Sequence, residues 1–323
     1  MIKIKHIGVL TSGGDAPGMN AAIRAVVRAA TDRKWRVTGI LRGYWGLINR
    51  ETQPMDSRSV GGIINRGGTI LRTVRCPEFK QASQRAKAYR HIRELGLEGL
   101  VVIGGNGSAA AAQAIHREIQ LPVAVVPASI DNDVYGTDDT VGFDTAVNTA
   151  VTAIDQIRDT ATSHERVFLI EVMGRHNGFI AVEVGLACGA EAVLVPEIKY
   201  QLDAISRMLV NGKKRGKLSS IIVMAEGAGD SKKITEQLKA KTGLRVRLSI
   251  LGYIQRGGSP SARSRLLAAR MGHAAVQNLA KGLYAHLSGL QNDHIVASPL
   301  AIVTARQKHL GREYYHLSNQ LAQ

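Results

Sequence analysis

The feature that most constrains this chain is a repeated alternation of short apolar runs with longer segments of helical period. Residues 7–10, 37–41, 100–103, 123–126, 167–172, 192–195, 221–225 and 246–251 read as strands, the run at 123–126 ending at Pro127. Between them, residues 17–30, 108–117, 145–160, 179–188, 205–213, 232–242 and 261–281 read as helices. Residues 78–95, rich in Lys and Arg, read as an exposed helix. Such alternation predicts parallel sheets covered by helices on both faces. About ten strands are too many for one core, so two such layers are expected. The polar stretch at residues 211–216 is the nearest thing to a linker. In this architecture ligands bind beyond the carboxyl ends of strands, so the turns there are where function is sought.

Charge narrows the partners. The 323 residues carry 42 Lys and Arg against 26 Asp and Glu, a net charge of +16, which raises nucleic acid, membrane surface or anionic metabolite as partners. The charge is unevenly spread: residues 1–100 sum to +11, residues 101–200 to −8 and the remainder to +13. Two basic flanks around an acidic middle suit a protein that holds anions with its outer thirds and does acid–base or metal chemistry from its centre. Aromatic residues are only 4% and no nucleic-acid reader motif is present, so no nucleic-acid partner is expected. The longest uncharged stretch, residues 99–116, is broken by Gly104, Gly105, Asn106, Gly107 and Ser108, and no membrane span follows from it. Two cysteines and an N-terminus without a signal-peptide core lead to a cytoplasmic expectation.

Two turns share one design. Thr11-Ser12-Gly13-Gly14-Asp15-Ala16-Pro17-Gly18 and Gly104-Gly105-Asn106-Gly107-Ser108 each run from a strand into a helix. Glycine lets backbone N–H groups approach a ligand, and the helix N-terminus adds about half a positive charge. One such turn is as readily explained by tight packing; two in successive units favour nucleotide or polyphosphate. Neither has the Gly-Lys-Ser/Thr ending of a Walker A loop. A third turn, Pro127-Ala128-Ser129-Ile130-Asp131-Asn132-Asp133, sets two carboxylates where a hydroxyl and a metal could both reach. Asp and Asn also favour ordinary Asx-turns and caps, so that turn alone leaves both readings open.

Taken together, TSGGDAPGMNAAIR, GYWGL, INRGGT, GGNGS, SIDND, EVMGRHNG and GYIQRGGSP resemble the phosphofructokinase family of the bacterial type. The resemblance runs in order from about residue 7 to the helix after Pro260. It implies an α/β protein of two Rossmann-like three-layer domains with mostly parallel sheets and the active site in the interdomain cleft. The implied domains are residues 1–142 plus 255–305, and 143–254 plus 306–323. The implied reaction moves the terminal phosphoryl group of MgATP to the 1-hydroxyl of fructose 6-phosphate. Asp131 matches the base, Asp133 its support and the metal's, and Ser129 stands where the family mostly has Thr. Arg175 matches the arginine that stabilises the transferring group.

By the same resemblance, Arg166, Met173, Gly174, Glu226, Arg247, Tyr253 and Arg256 take the sugar phosphate. Arg166 and Arg247 would reach from a neighbouring subunit of a homotetramer. Gly14, Tyr44, Arg75, Cys76, Asn106, Gly107 and Ser108 take the ATP positions. Arg24, Arg28, Arg158, Glu191, Arg215 and Lys217 fall at the family's regulatory site for ADP or phosphoenolpyruvate. Ser57-Arg58 stands there in place of the usual Arg-Tyr pair. Asn106 stands where the usual turn has an Asp that helps bind Mg²⁺, and Asn brings no charge. Tyr253 replaces a common histidine. Gly107 and Ala128 are small where pyrophosphate-using relatives carry Asp and Lys, which favours ATP as donor. ADP- or pyrophosphate-dependent enzymes, and an impaired metabolite-sensing homologue, are the alternatives.

Overall fold

The structure is a computed structural model that describes residues 4–321. Along the chain, β1 (His6–Ser12), α1 (Met19–Asp32), β2 (Arg36–Ile40), α2 (Tyr44–Asn49), β3 (Thr52–Met55), α3 (Ala82–Glu94), β4 (Gly99–Gly104), α4 (Asn106–Ile119), β5 (Val123–Ser129) and β6 (Val141–Gly142) lead into α5 (Phe143–Ser163). There follow β7 (Val167–Val172), α6 (Phe179–Ala187), β8 (Ala192–Leu194), α7 (Leu202–Lys214), β9 (Ser220–Ala225), α8 (Ser231–Thr242) and β10 (Val246–Ile250). The chain closes with α9 (Ala262–Ala280), β11 (His286–Gln291), β12 (His294–Pro299), α10 (Leu300–Ala305) and α11 (Arg312–Leu321). Among the described residues no helix is long and apolar enough to cross a membrane.

Two compact units emerge. The first takes the chain up to Thr145 together with Arg256–Lys308. Its sheet runs β12-β11-β5-β4-β1-β2-β3, with β6 paired to β5. The pairs among β1, β2, β4, β5, β6 and β11 are parallel, and only the edge strands β3 and β12 are antiparallel. Central strands read as unbroken apolar runs because helices cover both faces. Leu10, Leu100, Val102, Val123 and Val125 point into a core shared with Tyr89, Ile92, Ala112 and Ile115. The alternate residues Val9, Val101, Ile103, Ala124 and Val126 are equally buried on the other face. There α1 packs along α9, and Gly272 permits the approach: a Cβ on it would lie 2.9 Å from the Ala25 Cβ.

The second unit takes Ala146–Gln255 and the segment from His309. Its sheet, β10-β7-β9-β8, is parallel throughout. Leu169, Leu194, Ile222, Met224 and Leu238 form its core.

Three local expectations give way. Residues 78–95 are not one exposed helix: Pro77–Lys80 is a 3-10 turn, and α3 buries Ala88, Tyr89 and Ile92 at helical spacing. The strand at 123–126 runs on through Pro127 to Ser129. Pro127 pairs with Gly104 on one side, while the pairing of β5 with β11 on the other ends at Val125, before the proline. The polar stretch at 211–216 is no linker but the end of α7 and the turn after it.

Candidate active site

The turns after β1, β4 and β5 of the first unit meet around a cavity of about 930 Å³. It is lined by Gly14, Tyr44, Arg75, Cys76, Asn106, Gly107, Ser108, Ser129, Asp131, Asp133 and Arg256, eleven of the residues singled out from sequence. Hydrogen bonds lace the turns together. Ser108 Oγ donates to the Ser12 carbonyl at 3.0 Å, joining the two glycine turns, and Thr73 Oγ1 donates to the Gly13 carbonyl at 2.8 Å. Tyr44 is buried; its hydroxyl donates to the Ser108 carbonyl at 2.7 Å and its ring lies 4.5 Å from that of Phe79. Burial pushes that phenol well above its ordinary pKa, so it stays a donor at neutral pH. α4 begins within the second glycine turn, where the Ser108 and Ala109 N–H groups donate to the Gly105 carbonyl and those of Asn106 and Gly107 precede the first intrahelical bond.

The carboxylate turn is held just as locally. Ser129 Oγ accepts the Asp131 N–H at 3.2 Å and donates to Asp133 Oδ1 at 3.5 Å. Asn132 is left-handed, with φ 51°, and its amide donates to the Asp138 carbonyl at 3.0 Å. Asn106 Nδ2 donates to the Asp133 carbonyl at 3.1 Å, tying the second glycine turn to the carboxylates. Arg256 reaches over the first turn, Nη1 donating to the Asp15 carbonyl at 3.2 Å. Sequence comparison grouped Arg256 with the sugar-phosphate residues, and here it shares the cavity of the glycine turns.

The second unit carries its own set. Met173 is buried, and its N–H donates to Oε1 of the fully buried Gln255 at 2.8 Å. Gly174 has φ 134°, a conformation L side chains rarely adopt. Arg175 Nε stands 3.8 Å from Glu226 Oε1 with most of the guanidinium exposed, a weak pair that leaves the arginine available. Arg166 precedes β7 and Arg247 lies on the neighbouring β10; Arg166 Nε is buried without a hydrogen-bond partner. Tyr253 is 83% exposed. Glu191, Arg215 and Lys217 line a separate cavity of about 850 Å³. There Glu191 is buried, accepts the Ile221 N–H and pairs with Lys217 Nζ at 2.7 Å. Arg158 donates to the Cys188 carbonyl, while Arg24 and Arg28 belong to α1 of the first unit.

A family profile described as Phosphofructokinase matches residues 6–279. The chain belongs to the phosphofructokinase family. It is 51% identical over 321 residues to the ATP-dependent 6-phosphofructokinase 1 of Thermus thermophilus, covering 99% of this chain and all of that one. It is 50% identical over 319 residues to the ATP-dependent 6-phosphofructokinase of Bacillus pumilus, with the same coverage. Among solved structures, Pichia pastoris phosphofructokinase superposes with a TM-score of 0.89 at 31% identity. That match covers 99% of this chain and 37% of the Pichia chain, so the present chain spans little more than a third of it.

Beside the family motifs, the cavity is lined by Phe79, Lys80 and Arg85, which the sequence reading placed on an exposed helix, and by Ala110, Ala111 and Ala114, which it passed over. The three alanines follow Gly107 at helical spacing and present one smooth face of α4. Arg85 pairs with Glu118, which also accepts from the Tyr89 hydroxyl at 2.9 Å. Cys76 is half-buried, and burial pushes its thiol up, so it lines the cavity as a neutral group. Among the described residues no group of three or more His, Cys, Asp or Glu side chains is placed to hold a metal. The cavity's acidic complement is Asp131 and Asp133, hard oxygen donors of the kind that hold a divalent cation jointly with substrate phosphates. The family's ATP-dependent members imply such a cation.

Proposed function

We propose that this protein is an ATP-dependent 6-phosphofructokinase. The observation that carries the reading is the joining of both glycine turns and the Asp131–Asp133 turn around one cavity, of a size suited to a nucleotide. Full-length identity of about half to enzymes of that name supports it.

The donor's phosphates lie against the glycine turns, where backbone N–H groups and the α4 N-terminus compensate negative charge. The alanine face of α4 with Phe79 and Pro77 offers the apolar wall an adenine ring requires. Gly107 and Ala128 leave space beside the phosphates, which supports ATP over pyrophosphate; a Cβ at Gly107 would meet nothing within 4 Å. Asp131 takes the proton of the fructose 6-phosphate 1-hydroxyl as its oxygen bonds to the terminal phosphorus. The bond to the bridging oxygen then breaks, and ADP leaves. Arg175 stabilises charge on the transferring group, and Arg166, Arg247, Tyr253 and Glu226 hold the sugar phosphate and its hydroxyls. Asp133, with Asp131 and the donor's phosphates, would hold Mg²⁺, which would neutralise part of the phosphate charge.

The protein works as a cytoplasmic homotetramer, Arg166 and Arg247 serving a neighbouring subunit. The half-exposed Ile250 and Ile254 beside the open edge of β10 support that assembly. Glu191, Arg215 and Lys217, with Arg158, belong to the regulatory site for ADP or phosphoenolpyruvate. A coupled assay with fructose 6-phosphate and Mg²⁺, offering ATP, ADP and pyrophosphate in turn, tests the reading. Turnover with ATP, reduced on the order of 10² to 10⁴ by Asp131→Asn, is expected. Turnover with pyrophosphate alone would overturn the donor assignment, and none with any donor the reaction itself.

A further inference from the structure

Asn106 opens α4 from within the second glycine turn, and its side chain crosses to the neighbouring turn to donate to the Asp133 main-chain carbonyl. The orientation is chemically determined. Turned the other way, the amide would set its own oxygen 3.1 Å from a carbonyl oxygen, two acceptors with no proton between them. An aspartate, the residue the family's usual turn places here, has no proton to donate at neutral pH. It would repel the same carbonyl unless a cation stood between them. The bond therefore exists because this chain has Asn. It reaches the carboxylate turn at the residue two positions after Asp131.

The rest of that turn is already ordered on its other side. Asn132 is bonded to the Asp138 carbonyl, and Thr140 Oγ1 donates to the Ser129 carbonyl at 2.5 Å. Asn106 supplies the tie from α4. Two carboxylates then line the cavity, the complement with which Mg²⁺ usually needs substrate phosphates and water to complete its shell.

We propose that Asn106 is a positioning residue that fastens the Asp131–Asp133 turn to α4, and that a divalent cation enters this site only together with the donor's phosphates. The kinetic part rests on the ATP-dependent phosphofructokinase reading. In Asn106→Ala the turn loses its tie. We expect kcat to fall about tenfold with KM for fructose 6-phosphate changed less than about twofold, because the base is less well placed and no residue assigned to the sugar phosphate is touched. Backbone amide exchange at residues 130–134 should quicken several-fold in the ligand-free protein. Asn106→Asp should show the same loosening without metal. It should also bind Mn²⁺ without nucleotide at least about tenfold more tightly than the parent, as seen by electron paramagnetic resonance, because a third carboxylate has joined the set. The parent protein should bind Mn²⁺ alone only in the millimolar range, on the order expected of two carboxylates.

Unchanged exchange in Asn106→Ala overturns the positioning role, as does an unchanged kcat in a turning-over enzyme. Micromolar Mn²⁺ binding by the parent without nucleotide overturns the metal half. If no donor supports turnover, the kinase reading fails by itself, and the exchange and Mn²⁺ measurements still decide the role of Asn106.

Discussion

Gly14 shows how close the cavity's groups stand. A Cβ built on it would lie 2.6 Å from Arg256 Nη1, the atom that reaches the Asp15 carbonyl. Its φ lies outside the left-handed region, so alanine can adopt the backbone and the cost falls on the arginine rather than on the fold. Gly14→Ala should lower kcat/KM for ATP by about 10²-fold through displacement of Arg256. The melting temperature should stay within about 2 °C. Steady-state kinetics beside a thermal melt separates the two. His6 illustrates a different residue-scale effect. Its ring faces the Gly96 carbonyl at 3.1 Å and Thr38 Oγ1 at 2.8 Å, and burial, with Arg36 nearby, holds its pKa below the ordinary 6.5. The unfolded chain therefore binds a proton that the folded one resists. Stability should fall as pH drops below about 6.5, and denaturant titrations of His6→Gln should show a flatter dependence there.

At the scale of elements, the tightest constraint is the seam between α1 and α9. A Cβ at Gly272 meets the Ala25 Cβ and, at 3.0 Å, the Ala22 carbonyl, which is backbone and cannot swing away. Gly272→Val should destabilise the protein by about 1–3 kcal/mol, since overpacking outweighs the gain in helix propensity. KM values at 25 °C should be unchanged, because Gly272, Ala22 and Ala25 do not line the 930 Å³ cavity. The alternation of strands and helices was legible in sequence because every central strand is buried on both faces and so forms an unbroken apolar run. The pieces missed include β3, β6, α2, the β11–β12 hairpin, α10 and α11: β3 and β12 are edge strands that mix polar and apolar residues, and α2, β6 and α10 are too short for a period to show. The site was legible by the same locality. Glycine turns and an Asp-Asn-Asp turn are contiguous, whereas the ties from Ser108 to Ser12 and from Asn106 to Asp133 span tertiary distance. Ala110, Ala111 and Ala114 escaped notice because a small-residue stripe facing a ligand has the same spacing as one facing a core.

For the molecule as a whole, the excess of positive charge is divided among jobs that need no polymer. Arg75, Lys80, Arg85 and Arg256 surround the cavity; Lys232, Lys233 and Lys239 lie on α8. Nucleic-acid binding resting on such charge alone should vanish at about 0.15 M salt, which filter binding would show. A firmer whole-chain consequence comes from connectivity. The first unit is discontinuous: β5 needs β11 beside it, α1 needs α9, and Leu300 and Val303 complete the core against α4. Residues 1–145 alone should therefore fail to melt cooperatively by circular dichroism. Thr145 and the start of α9 are neighbours, since Thr145 Oγ1 accepts the Ser261 N–H at 3.0 Å. A flexible linker of about six Gly and Ser residues between Thr145 and Arg256 can span that gap. The joined chain, 1–145 with 256–308, holds every residue that lines the 930 Å³ cavity. It should melt cooperatively and bind MgATP while failing to turn over fructose 6-phosphate, whose proposed phosphate ligands Arg166 and Arg247 it lacks. A cooperative melt from residues 1–145 alone would show that the returning segment is dispensable to the fold.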